Sequence, residues 1–247
     1  MTYINQPRLL ESSGICRSVT TPGLYYSHND SGSLPILYGF NEMGEALGEF
    51  PLACKSIDCE AVSSAMVNGV PTIIVADVGD NNCARPSYRI NVIVEGSPTP
   101  YAVRSINFTY PDGNKRNCEA VILMPDGKIV LITKCYPTIS GKTTVFTITS
   151  WLSGDSGTVC YAGPTLDATL GIITDATYKD GLIGLLGNGK THLFNAGNWT
   201  KIRSITMPKS VQPEGVCFSH DGGRILMTSE VQASATIKLT PLYSVLL

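Results

Sequence analysis

The stretch IDCEAV at residues 57–62 returns with small changes as RNCEAV at residues 116–121 and as QPEGVCF at residues 212–218. In each copy a Glu stands just ahead of a small residue and a β-branched one. LESSGIC (10–16) and IITDATY (172–178) fit the same pattern more loosely. If Ser13, Glu60, Glu119, Asp175 and Glu214 are equivalent, they recur at intervals of 39 to 59 residues and divide the chain into five units. A period of this length predicts a repeat architecture.

Short runs rich in Val, Ile, Thr and Tyr alternate with Gly, Asn, Asp and Pro, and helical periodicity is almost absent. Such runs predict strands; the clearest are PTIIVADVG (71–79), RINVIVEG (89–96), KIVLITK (128–134), TTVFTITSW (143–151) and RILMTSE (224–230). Each unit has room for three or four strands. The sequence therefore predicts an all-β, single-domain β-propeller over residues 1–247, with five blades.

The last unit lacks an outer strand, which residues 1–10 are expected to supply so that the ring closes. Six blades are the alternative, because the interval from Glu60 to Glu119 is long enough to contain a degenerate blade. A β-sandwich gives no reason for an acidic residue to recur at this spacing.

Composition restricts the classes of partner. The net charge is −2 and only 15% of the residues are charged, so no basic field predicts nucleic acid or an anionic membrane as a partner. No run of 18 apolar residues predicts membrane insertion, and the N-terminus does not resemble a signal peptide. The eight Cys form no CxxC pair, which favours free buried thiols in a protein made in the cytoplasm.

Polar residues are expected to meet at one end of the central channel. In a propeller, the innermost strand starts at the same end at which the next strand finishes. The recurrent Glu lies at such starts, and polar residues follow the second strands. The predicted ligand-binding residues are His28, Asn29, Asp30, Asp58, Asp77, Asp80, Asn81, Asn117, Lys134 and Glu230. Any one of these clusters could instead be an ordinary turn, because Asn, Asp and Gly end strands in many proteins.

The acidic residues near the axis are harder to explain as turns, because Glu is not a turn former. Crowded carboxylates repel one another unless a cation, a Lys or shared protons compensate them. Glu60, Glu119, Asp175 and Glu214 are therefore predicted metal ligands. Ca²⁺ is the predicted ion, since carboxylate, amide and carbonyl oxygens are its preferred ligands. A water-filled polar channel without metal is the alternative, with Lys134 as the compensating charge.

Two motifs resemble known catalytic loops and are interpreted as turns. GLLGNGKT (184–191) matches the phosphate-binding loop GxxxxGK[ST], but the residues after it do not predict the helix that such a loop needs. Asn188-Gly189 is better explained as a tight hairpin. GDSG (154–157) resembles a protease nucleophile loop and is predicted to be a turn at the opposite end of the propeller. Pro125-Asp126-Gly127 and residues 220–223 are predicted hairpin turns at that end too.

Several motifs occur together in order: ESSGI, HNDSG, DCEAV, DVGDN, CEAV with PDGKIVLITK, and PEGVCFSHDGGRILMTSE. As a set, they resemble a family of poorly characterised bacterial and phage β-propeller proteins, and the resemblance covers nearly the whole chain. It implies the propeller fold and an acidic central face, but no activity. The chain departs from the family pattern at Cys59, where an aromatic residue is common, and at Asn188, where a basic residue is usual. With no export signal, it suits a phage gene product, so a virion location is expected.

Two hypotheses of function follow. The first is a binding or structural module, a phage tail- or fibre-associated protein that contacts a host-surface glycan or protein or another virion protein, with assembly into a homo-oligomer expected. Tyr25, Tyr26, Tyr136 and Trp151 are candidates for aromatic binding surface, although core packing is the expected fate of each. The second is a Ca²⁺-dependent hydrolase of phosphoester, ester or glycan substrates. Its catalytic candidates are Glu60, Glu119, His28 and Lys134.

Overall fold

The chain forms five four-stranded antiparallel sheets, which the computed structural model describes over residues 1–134, 143–153, 160–210, 212–232 and 234–247. In chain order the strands are β1 (Thr2–Tyr3), β2 (Ser12–Arg17), β3 (Tyr25–Asn29), β4 (Ile36–Phe40), β5 (Ala46–Pro51), β6 (Cys59–Val67), β7 (Val70–Asp77), β8 (Tyr88–Val94), β9 (Arg104–Phe108), β10 (Cys118–Leu123), β11 (Ile129–Thr133), β12 (Thr143–Ile148), β13 (Cys160–Leu166), β14 (Ile173–Lys179), β15 (Leu182–Gly187), β16 (Lys190–Asn195), β17 (Lys201–Thr206), β18 (Pro213–Phe218), β19 (Arg224–Ser229) and β20 (Pro241–Leu246). Two 3₁₀ helices cover Trp151–Ser153 and Ala168–Leu170. Blades one to four are β2–β5, β6–β9, β10–β13 and β14–β17, and blade five is β18–β20 with β1.

The first strand of each blade lines the centre of a ring. β2 contacts β6, and the contacts continue through β10, β14 and β18 back to β2. The protein is therefore a five-bladed β-propeller, as the repeat predicted. The six-blade alternative is wrong. Residues 60–119, all of them described, contain blade two and no further sheet, and the loops at 78–87, 95–103 and 109–117 account for most of the extra length of the interval.

The core consists of five apolar layers, one between each pair of neighbouring blades. β10 shows how sequence produces them, because successive side chains of a strand point to opposite faces. Val121 and Leu123 pack towards blade two, whereas Ala120 and Ile122 pack towards blade four. Both faces of an inner strand are buried, which explains why these strands read as continuous apolar runs.

The N-terminal strand closes the ring. β1 pairs with β20, with Thr2 opposite Leu242 and Tyr3 opposite Pro241, so the predicted outer strand of the last blade is confirmed. Beyond the strand, the Ile4 amide donates to the Thr240 carbonyl and the Asn5 amide donates to the Gly44 carbonyl. The segment thus joins blade five to blade one.

Each inner strand starts with a β-bulge, and the bulges correct one part of the sequence alignment. Glu60, Glu119 and Glu214 are the extra residues in β6, β10 and β18. In β14 the extra residue is Thr174, while Asp175 pairs with Leu186. The assumed equivalence of Asp175 with the glutamates is therefore off by one residue, because the bulge, which a single sequence does not reveal, sets the register.

The predicted turns are borne out where the structure describes them. Asn188 and Gly189 both have positive φ and join β15 to β16 as a hairpin, so GLLGNGKT is not a phosphate-binding loop. Pro125–Gly127 and residues 220–223 join paired strands at the other end. The GDSG turn, Cys135 and Tyr136 lie outside the described residues. The seven described cysteines are free thiols, and no helix in the described part of the chain is long and apolar enough to span a bilayer.

Candidate functional site

Acidic side chains from four blades meet at the end of the channel where the inner strands start. The axial acidic cluster comprises Asp30, Asp58, Glu60, Glu119, Glu214 and Glu230. Glu60, Glu119 and Glu214 occupy the bulges that start three inner strands of the ring, so side chains distant in sequence reach the same end of the channel, and the pKa values of Glu60, Glu214 and Glu230 all respond to Glu119 and to Asp30. Convergence of the three glutamates, which the sequence predicted, is therefore observed.

Three members of the cluster form its tightest group. Carboxylate oxygens of Asp30, Asp58 and Glu60 lie within 4.8 Å of one another. Asp30 follows β3, Asp58 precedes β6, and Glu60 is the bulged residue, so two blades supply the group. Ser13 of blade one donates to Glu60 Oε2 at 3.1 Å and fixes one oxygen of this carboxylate.

Gly79 forms the wall behind this group. A Cβ at residue 79 would lie 2.4 Å from Glu60 Oε1 and 2.5 Å from Asp58 Oδ2. Real contacts are never this short, so only a residue without a side chain leaves both carboxylates where they are. The Gly79 amide also donates to the Asp58 carbonyl, which ties the loop after β7 to the start of β6.

The opposite side of the cluster contains its internal counter-charge. Lys134, just after β11, forms an ion pair with Glu119. Asn117 Nδ2 donates to Glu119 Oε1 at 3.1 Å and to Asn81 Oδ1 at 2.9 Å. Lys134 and Asn117 therefore both bind the same oxygen of Glu119, Oε1.

The cluster carries more negative charge than its cations neutralise, and the pKa values reflect this. Burial, followed by repulsion from Glu119, raises the pKa of Glu214 to about 8. Burial and Asp30 raise the pKa of Asp58 to about 6, although Arg85 opposes the shift. Burial also raises the pKa values of Glu60, Glu119 and Glu230, with Lys134 lowering that of Glu119. A bound cation would relieve this repulsion.

Four of the predicted ligand-binding residues stabilise loops in this structure. Asp77 accepts the amides of Ile57 and Asp58 and pairs with Arg85 at 2.9 Å. Asp80 accepts the amides of Ala84 and Arg85. Asn29 Oδ1 accepts the amides of Leu10 and Glu11, and Asn81 accepts from Asn117. They hold the walls of the site, and any direct contact with a ligand stays a prediction.

His28 and Asp175 lie deeper in the molecule. Nδ1 of His28 is 2.9 Å from the Asn29 carbonyl, and Nε2 is buried with no hydrogen-bonding partner among the described residues. Asp175 is fully buried, and its Oδ2 accepts the Val216 amide at 2.7 Å. Its Oδ1 is buried with no hydrogen-bonding partner among the described residues, and its role as a metal ligand stays a prediction.

Tyr25, Tyr26 and Trp151 are buried and belong to the core, so they add no aromatic surface. Sequence reasoning missed Ser13, Thr174 and Gly79 as parts of the site. The first two occupy the bulge position in blades one and four, where Thr174 donates to the Pro213 carbonyl. The repeat marked Ser13 as the equivalent of Glu60, but it placed Asp175 and not Thr174 at this position in blade four.

No protein-family model and no curated protein matches the chain. Among solved structures, it is similar to the GH43_1 enzyme from Xanthomonas citri complexed with xylose, with a TM-score of 0.55 and 12% identity over 99% of this chain and 90% of that one. It is also similar to the Dos1 propeller, with a TM-score of 0.43 and 10% identity over 89% of this chain. The chain spans about half of the Dos1 structure, 53% of its length. At these identities the likeness concerns the fold alone, and the fold is a β-propeller.

Proposed function

We propose that this protein is a binding module that also holds a divalent cation, through Asp30, Asp58 and Glu60. The observation that carries the proposal is the closeness of these three carboxylates at the open end of the propeller axis. Glu60 lies in the bulge of β6, and both Asp58 and Glu60 lie close to the backbone of Gly79, which supports a preorganised group.

Ca²⁺ is the ion that best suits this donor set. Ca²⁺ takes six to eight oxygen ligands in flexible geometry, and the site offers carboxylates without a sulfur or nitrogen donor in the tight group. Three ionised carboxylates carry more negative charge than one divalent ion neutralises. This attraction supports binding despite the free energy that is needed to remove water from the ion and from its ligands. Waters or hydroxyl groups of a ligand would complete the coordination.

Calcium binding can be measured directly by isothermal titration calorimetry. Glu60→Gln removes one charged ligand and is expected to weaken binding about tenfold or more. Asp126→Asn is the matched control, because Asp126 is exposed in a turn at the other end of blade three. Equal affinity for wild type and Glu60→Gln, or no binding by wild type, would refute the proposal.

The location and the partners expected for this module come from the sequence resemblance. We infer that the axial face contacts a glycan or protein of a host surface or of a virion, with the protein as part of a phage particle. Co-purification with phage particles and binding to host envelopes are the tests, and a protein that binds neither would contradict the inference.

A second candidate function is hydrolysis, and the contrast between Glu214 and Glu119 favours it. Glu214, with its pKa raised to about 8, is protonated at neutral pH, whereas Glu119 is ion-paired with Lys134. Burial raises the pKa of both groups, and Lys134 opposes the rise at Glu119 by contact, so their surroundings differ as those of a general acid and a general base do. The similarity to a glycoside hydrolase adds a choice of substrates to test.

A panel of chromogenic pentosides, esters and phosphodiesters, with and without Ca²⁺, would test this candidate. Glu214→Gln and Glu119→Gln should each lower any turnover about 100-fold or more if the pair is catalytic. Inactivity of the wild type on the whole panel would remove the hydrolase and leave the binding module.

A further inference from the structure

A cavity of about 260 Å³ opens beside the axial acidic cluster, on the outer part of blade five. Its walls include Tyr3, Pro241 and Tyr243. Tyr3 pairs with Pro241, and Tyr243 lies two residues further along β20, so period-two alternation places all three on one face of the sheet. Ile237 and Leu239 of the preceding loop add further apolar surface.

Glu230 joins this cavity to the cluster. It is a lining residue of the cavity, and its pKa is raised by burial and by the nearby carboxylates of Asp30, Glu11 and Glu119. None of the ion pairs within the described residues involves Glu230. Lys238, the nearest lysine along the chain, donates to the Gln232 carbonyl at 3.3 Å. The cavity therefore combines largely apolar walls with a carboxylate in a region of excess negative charge.

The chain itself shows which chemical group such a region accepts. Lys134 places an ammonium group on Glu119 within the same cluster. An aliphatic stem that ends in a cation suits the Glu230 cavity in the same way, because long basic side chains bury their stems on apolar surface and keep the charged end on a partner. A neutral ligand would leave the repulsion around Glu230 in place.

We propose that this cavity binds a lysine or arginine side chain of a partner protein, with the cationic end on Glu230 and the stem against the apolar walls. The proposal names a partner for the binding module and so rests on the proposed function. It uses different residues from the cation site, and the two can therefore fail separately.

The test is fluorescence anisotropy with a labelled peptide of alternating Ala and Lys, compared with the same peptide after lysine acetylation. Wild type is expected to bind the lysine peptide about tenfold more tightly than the acetylated one, because a charge-assisted hydrogen bond is lost on acetylation. Glu230→Gln, in which the side chain keeps its size and shape, should bind the lysine peptide about tenfold more weakly than the wild type does. Asp126→Asn should bind this peptide as tightly as the wild type. Circular dichroism verifies that each variant is folded.

Two variants separate this proposal from the cation site. Glu60→Gln is expected to lose calcium affinity and keep peptide affinity, and Glu230→Gln the reverse. Equal affinity for the lysine and acetyl-lysine peptides, undiminished binding by Glu230→Gln, or no binding by wild type would overturn the proposal.

Discussion

Gly79 is the residue on which the geometry of the cation site depends most, although it has no side chain to bind anything. It leaves room for two carboxylates against the loop after β7. Its φ lies outside the left-handed region, so an Ala there is excluded by contact and not by backbone strain. Substitution therefore tests geometry without changing charge.

Gly79→Ala is expected to weaken calcium binding about tenfold or more, since Asp58 and Glu60 must move apart to admit the methyl group. Calorimetric titration measures the effect. Gly223→Ala is the matched control, because a Cβ at residue 223 would lie 3.5 Å from Asp221, an ordinary contact. Unchanged calcium affinity in Gly79→Ala would show that the carboxylates do not act as a preorganised group.

Glu214 predicts how stability depends on pH. Its folded pKa of about 8 lies above the ordinary value of 4.5, so between these values the folded state binds more protons than the unfolded state. Stability should therefore fall as pH rises from about 5 to 8, by on the order of 3 kcal/mol for this group. Urea denaturation across this pH range measures the slope, and Glu214→Gln should flatten it. A wild-type stability that rises with pH over the same interval would contradict the assignment.

Only some of the site residues could be predicted from the sequence. The positions of Glu60, Glu119 and Glu214 could be predicted because the repeat marks them. Thr174 could not be distinguished from Asp175, because a bulge moves the register by one residue without leaving a sequence signal. The close approach of Asp30 and Asp58 to Glu60 depends on loop conformation, which the repeat does not encode.

At the scale of elements, the end of β3 anchors the segment that leads into β2. Asn29 Oδ1 accepts the amides of Leu10 and Glu11, at 2.9 and 3.0 Å, and Asn29 Nδ2 donates to the Arg8 carbonyl at 2.7 Å. The side chain replaces the backbone partners that this irregular segment lacks. It also holds the strand end next to Asp30.

Asn29→Ala should lower the free energy of unfolding by about 1–3 kcal/mol, because two backbone amides and one carbonyl lose their partner in a partly exposed setting. Chemical denaturation measures the loss. Asn29→Asp keeps the acceptor but places a carboxylate oxygen against the Arg8 carbonyl, so it tests the donor half of the contact and should also lower the free energy of unfolding. Equal stability of wild type and Asn29→Ala would refute the anchoring role.

Strands were the easiest elements to predict. The five quoted runs all contain strands, because alternating turn residues and β-branched residues specify them locally. Whether His28-Asn29-Asp30 is a turn or part of a site could not be decided locally. The structure shows that the three residues differ: Asn29 holds backbone, Asp30 faces Glu60, and His28 is buried.

At the scale of the whole molecule, closure of the ring brings together the residues that form the site. Blades one, two, three and five each contribute a carboxylate, so the cluster exists only while the blades stay in register around the axis. β1 completes blade five, and Ile4 behind it is fully buried. The N-terminal segment is thus linked to a site made by residues far along the chain.

Deletion of residues 1–5 should lower the free energy of unfolding by on the order of 3 kcal/mol, through loss of a buried Ile and of the hydrogen bonds of β1. Thermal and urea denaturation measure the change. Deletion of Met1 alone, which is 74% exposed, is the control and should have little effect. A shortened chain as stable as the full one would show that β1 does not hold the ring closed.

The architecture could be predicted from sequence because a ring of repeats follows from period and strand pattern. The function could not, because one propeller face can bind an ion, a protein or a sugar, and the choice depends on distances of a few ångströms. The separation of Asp30, Asp58 and Glu60 is such a distance, and it can be measured in the structure but could not be predicted from the sequence.

Anomalous diffraction from crystals soaked in Ca²⁺ tests both the separation of these carboxylates and whether they bind the ion. A peak is expected about 2.3–2.6 Å from oxygens of Asp30, Asp58 and Glu60. The absence of a peak at saturating Ca²⁺, or carboxylates that point away from one another, would contradict the proposed cation site.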